Sequence, residues 1–120
     1  DLVAQSRDKG ARLKAQLIDR LSRNPYVGEV RGRGLLVGLE LVADRDTKEP
    51  FDRAARVTER VVAACKMKGV LVYPGSGMAN GTDGDMILFG PPFVISNSEV
   101  DQVVDITTQV IGAIETLPAT

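Results

Sequence analysis

Ile87-Leu88-Phe89-Gly90-Pro91-Pro92-Phe93-Val94-Ile95-Ser96 places two successive prolines between apolar, strand-like runs and ends on a helix-capping residue. Proline has no backbone N–H to give to a sheet ladder, so the pair marks a strand end, an edge or a rigid corner. Met86 to Phe89 reads as the strand entering that corner. The helix leaving it opens at Ser96-Asn97-Ser98-Glu99, where Ser96 and Glu99 have capping-box spacing. Its core stripe is Val100, Val103 or Val104, Thr107, Val110 or Ile111, and Ile114.

Upstream of the corner, Val70 to Tyr73 reads as another short strand, joined to Met86 by the loop Pro74-Gly75-Ser76-Gly77-Met78-Ala79-Asn80-Gly81-Thr82-Asp83-Gly84-Asp85. Twelve residues exceed what a simple hairpin needs, and loops of this glycine-rich composition often border sites. Before it, Asp52 is a fitting N-cap for a helix whose buried face carries Ala54, Val57, Val61 and Cys65 and which ends at Gly69. Val27 to Arg31 and Leu35 to Val42 read as a hairpin turning at Gly32-Arg33-Gly34. Leu13, Leu17 and Leu21, with Ile18 beside them, form the stripe of a first helix that starts near residue 1 and stops before Asn24-Pro25. The order α-β-β-α-β-β-α predicts one α+β domain over 1–120, a small, mainly antiparallel sheet covered by helices.

At 43% apolar and 26% charged residues the composition is that of a globular domain, and no apolar run is long enough to cross a bilayer. The opening Asp1-Leu2-Val3, without methionine or a leader pattern, reads as a piece of a longer chain. Cys65 is the single cysteine, so no internal disulfide forms and a reducing, cytoplasmic setting fits. With no histidine in the chain a Cys-His pair is excluded, and Cys65 reads as a buried core residue. The net charge of −1 is unevenly spread: no Lys or Arg follows Lys68, whereas Asp83, Asp85, Glu99, Asp101, Asp105 and Glu115 do. Arg31-Gly32-Arg33-Gly34 is too short, and the chain too acidic and too poor in aromatics, for a nucleic-acid footprint.

Taken with Arg31-Gly32-Arg33-Gly34-Leu35-Leu36-Val37-Gly38-Leu39-Glu40-Leu41 upstream, the Pro-Pro stretch resembles the C-terminal small domain of class III (omega-type) aminotransferases, fold-type I enzymes that use pyridoxal phosphate. That resemblance implies a parent enzyme, a homodimer, that moves an amino group from an amine or amino acid to a keto acid or aldehyde. It also implies that the catalytic lysine and the cofactor contacts belong to a large domain with no counterpart here. Catalytic and cofactor-binding residues are therefore expected to be absent from this chain, and pyridoxal phosphate is not expected on the fragment. What this domain would supply is one wall of the substrate site, from Gly75, Ser76, Gly77 and Asp83 in the glycine-rich loop and Leu88 in the strand entering the corner.

Other readings of the same residues are weaker. Asn80, Asp83 and Asp85 offer oxygens, but their spacing is not that of an EF-hand and no bidentate glutamate follows, so no metal site is expected. Lys9, Lys14, Lys48, Lys66 and Lys68 fall on polar helix faces, helix ends or a charged loop, where nothing would depress a lysine pKa for carbonyl chemistry. Many relatives that handle amino acids carry an arginine where Leu88 or Asp83 stands, and a guanidinium fork is what grips a carboxylate bidentately. Its absence points to an amine donor without a carboxylate near the reacting carbon, or a cationic donor drawn by Asp83; carboxylate recognition by the absent domain is the competing explanation. A stand-alone regulatory module binding a small metabolite, and a structural fragment without activity, are the alternatives of other classes.

Overall fold

The computed structural model describes residues 2–33, 36–76, 84–89 and 96–118. Four strands, β1 (Val27–Arg33), β2 (Leu36–Leu41), β3 (Tyr73–Ser76) and β4 (Asp85–Phe89), make one antiparallel sheet in the order β1-β2-β4-β3. Three helices, α1 (Leu2–Leu21), α2 (Val57–Met67) and α3 (Asn97–Gly112), complete the α-β-β-α-β-β-α order, with 3-10 turns at Arg53–Ala55 and Ile114–Thr116. Side chains alternate across a strand, so the pairs Val37↔Phe89 and Leu39↔Ile87 send their apolar groups to one face. That face meets Leu13, Leu17 and Leu21 of α1, Val57, Val61 and Cys65 of α2, and Val100, Val104, Val110 and Ile111 of α3 in one buried cluster. The α+β expectation holds.

Element ends follow identifiable causes. α3 starts where expected: the Ser96 hydroxyl accepts from the Glu99 N–H and the Glu99 carboxylate accepts from the Ser96 N–H, both at 3.1 Å. That backbone donor draws the Glu99 pKa below its ordinary value. α2 ends in a Schellman motif, with Gly69 at φ +89° and its N–H bonded to the Lys66 carbonyl while the Val70 N–H reaches that of Cys65. Its start departs from expectation. Asp52 precedes the 3-10 turn and makes no side-chain cap bond, Arg56 turns left-handed at φ 51°, and the α-helix begins at Val57, which leaves Ala54 exposed.

Three further boundaries shift. Gly32 and Arg33 pair with Val37 and Leu36, so they extend β1 instead of forming the turn; Gly34 lies outside the described residues. β3 runs from Tyr73 to Ser76, not from Val70, because pairing with β4 begins at Tyr73↔Leu88; Val70 and Val72 are buried in the core and have no ladder partner among the described residues. Pro74 is tolerated there because β3 is an edge strand. Ile18 is 46% exposed, since it lies off the Leu13-Leu17-Leu21 line that meets the sheet.

Cys65 sits wholly inside the cluster, and burial, which disfavours the thiolate, pushes its pKa from 9.0 up to about 11. The folded chain therefore holds this proton more tightly than the unfolded chain, so the stability it contributes is full below pH 9.0 and is lost as pH rises towards about 11. Urea midpoints followed across that interval should fall more steeply for the parent chain than for Cys65→Ala; parallel curves would show the thiol uncoupled from folding.

Candidate functional site

The strand pair β3–β4 carries Gly75, Ser76 and Leu88 of the residues expected to form a substrate wall, and alternation sorts its side chains onto two faces. Leu88 lies opposite Tyr73 and Gly38, and Gly75 lies opposite Met86, so Leu88, Tyr73 and Gly75 share the face turned away from the helices. Gly38 leaves room there: a Cβ on it would stand 3.3 Å from Leu88 Cδ2 and 3.4 Å from Met86 Sδ, because both side chains lean over the bare backbone. Leu88 is consequently half-buried, while Tyr73 at the sheet edge is 54% exposed. Ser76 pairs with Asp85. Gly77 and Asp83, together with the Gly90-Pro91-Pro92-Phe93 corner, lie outside the described residues. The structure thus brings Gly75 and Leu88 onto one surface.

Asp85 occupies the other face and is 2% exposed. One of its oxygens accepts from the backbone N–H of Thr58 at 3.0 Å and from the Thr58 hydroxyl. That hydroxyl also lies 3.1 Å from the Gly75 carbonyl. Thr58 is the second residue of α2, so a buried carboxylate from β4 does the capping that Asp52 leaves undone, and it sits where the helix dipole favours negative charge. Reading the sequence weighed Asp85 only as an oxygen donor to a metal; its partner stands 27 positions away, and no local pattern links them. Among the described residues no group of three His, Cys, Asp or Glu side chains could hold a metal ion.

Next to this anchor Arg53 grips Glu59 with both terminal guanidinium nitrogens, one at 2.9 Å, and the hydrogen bond lowers the Glu59 pKa despite partial burial. None of the lysines is buried; Lys48 donates to the Gly28 carbonyl and Lys14 lies 3.5 Å from that of Gly32. No described helix is long and apolar enough to cross a membrane.

The "Aminotransferase class-III" family model matches residues 1–111. An uncharacterized aminotransferase of Bacillus subtilis, YodT, is 39% identical over 114 residues, covering 95% of this chain and 26% of its own length. The taurine–pyruvate aminotransferase of Rhodobacter capsulatus is 38% identical over 104 residues, 87% of this chain and 22% of its own. A pyridoxal-phosphate-bound aminotransferase mutant from Vibrio fluvialis superposes with a TM-score of 0.81 at 27% identity, covering 98% of this chain and 24% of that one. The chain spans about a quarter of the length of these proteins.

Thr58→Val keeps the backbone donor to Asp85 but removes the hydroxyl, so it should lower stability by about 1–3 kcal/mol in urea denaturation, with Thr58→Ser close to the parent chain. Equal losses for Val and Ser would remove the hydroxyl from this anchor.

Proposed function

The chain belongs to the class III aminotransferase family, and from that premise we propose that it is the C-terminal small domain of a pyridoxal-phosphate-dependent transaminase. The observation that carries this is the match over residues 1–111 by a chain that spans only a quarter of its relatives. Its own residues do not make the cofactor's site. The domain has no histidine, and none of its five lysines is buried. The carbonyl chemistry is then the business of the missing three quarters, with which this domain would pack, and of the homodimer that the whole enzyme forms. What this domain adds is a surface: Leu88 over Gly38, Tyr73 beside it and the Gly75 backbone, with Ser76, Gly77 and Asp83 following in the chain.

That surface favours an amino donor lacking a carboxylate next to the reacting carbon, with a keto acid or aldehyde as acceptor. Leu88 presents methyl groups where a guanidinium fork would be needed, and no Lys or Arg occurs from 69 to 120. The taurine–pyruvate relative supports the reading, since its named amine carries a sulfonate in place of a carboxylate.

Incubation of the 120-residue chain with pyridoxal phosphate and borohydride should leave its intact mass unchanged, whereas a longer protein containing it should be trapped at a lysine outside these residues. A site-specific adduct on one of the five lysines would overturn the assignment. In the full-length enzyme, Leu88→Arg should shift relative kcat/KM towards carboxylate-bearing donors by about tenfold, roughly one charge-assisted hydrogen bond. An unchanged ratio would move carboxylate recognition to the other domain.

A further inference from the structure

The cations of α1 divide between its two flanks. Arg12 and Arg20 face α3, where they pair with Asp101 at 3.1 Å and Asp105 at 2.5 Å, and Lys9 acts on Glu99. Arg7 and Lys14 stand on the opposite flank, towards the β1–β2 hairpin, and no described carboxylate lies within salt-bridge distance of either. They are two helical turns apart, about 10 Å along the axis. Between them at i+3 and i+4 come Gly10, which is buried, and Ala11, which is exposed, so no long side chain stands between the two cations. The result is an open groove of about 460 Å³, closed on the hairpin side by Gly32, Leu36 and Val37. A Cβ on Gly32 would come within 2.8 Å of the Lys14 stem that lies along the hairpin, so a side chain there would make that stem shift.

An apolar wall facing two cations without acidic partners, in a volume suited to a small molecule, is the complement of an amphiphilic anion. Leu36 is 58% exposed at the groove mouth, so a ligand's hydrocarbon would cover surface that now faces water. We propose that this groove binds a small organic acid, with its carboxylate held by Arg7 and Lys14 and its apolar body laid against Leu36 and Ala11. The proposal stands on these residues and does not depend on the transaminase reading.

The chain, labelled with nitrogen-15, is titrated with 4-methylpentanoate, with inorganic phosphate and with 4-methylpentan-1-ol while amide shifts are followed. The acid should give saturable shifts confined to residues 7–14, 32 and 36–37, with phosphate and the alcohol each weaker by about tenfold, since each lacks one half of the recognition. Arg7→Gln with Lys14→Gln should weaken the acid by a similar factor, and Ala11→Leu should block it sterically; both lie on the helix surface, and an unchanged spectrum elsewhere verifies their folding. Phosphate binding as tightly as the acid would reduce the site to an unselective cationic patch, and the alcohol binding as tightly would reduce it to a greasy cleft. Shifts located elsewhere, unsaturated, or indifferent to the variants would overturn the proposal.

Discussion

The pairing of β2 with β4 is the constraint on which the rest of this domain depends. With a side-chain period of two, the register Leu39↔Ile87 fixes at once which residues of both central strands face the helices; a slip of β2 by one would turn Val37, Leu39 and Leu41 outward. The same register lays Leu88 over Gly38 and turns Asp85 inwards beside Leu41. An inward carboxylate is costly unless satisfied, and what satisfies it is the first turn of α2. The placement of α2, and through the Thr58 hydroxyl that of the β3 carbonyl at Gly75, therefore follows from one strand register.

Features encoded by neighbours in sequence were legible. The α3 stripe and its Ser96–Glu99 box, the Gly69 stop and the Leu13-Leu17-Leu21 line each need only a few consecutive residues, and each is found. The start of α2 was not legible, because the capping oxygen comes from β4 and not from Asp52. The first hairpin was placed correctly, but Gly32 and Arg33 belong to β1 and not to its turn, and Gly32 lies beside Lys14, a contact across 18 positions. Gly75 and Leu88 stand on one face of the sheet, whereas the sorting of Asp85 to the core depends on strand alternation that starts one residue before Met86.

The helix-free face of the sheet explains how a domain can be stable and still leave a surface for something else. Its central row is Arg31, Gly38, Leu88 and Tyr73, running from an ion-paired edge to an apolar one. Arg31 meets Glu29 and Glu40 at 2.9 and 3.1 Å, which closes that edge with charge. Leu88 and Met86 bend over glycine instead of standing free, so the apolar half is partly self-covered. A surface of this kind can meet water in the isolated chain and a neighbouring domain or a substrate in a larger one without a change of register.

Charge ties the two ends of the chain together in a way the composition alone makes necessary. Every Lys and Arg lies at or before Lys68, so each acid of the last helix that finds a cation must find it upstream, among residues 1–68. Arg12 and Gln16 meet Asp101, and Arg20 meets Asp105, which sets α1 and α3 side by side. Arg60 donates to the carbonyls of Ile114 and Leu117 just beyond α3, as Arg45 does to those of Leu21 and Asn24 after α1, so helix C-termini are closed by guanidinium groups from other elements. Each exposed pair contributes little energy. Their common direction matters more: an acidic terminal helix lacking cations of its own is oriented against α1 by Arg12 and Arg20, and the apolar stripes of both helices then meet the sheet.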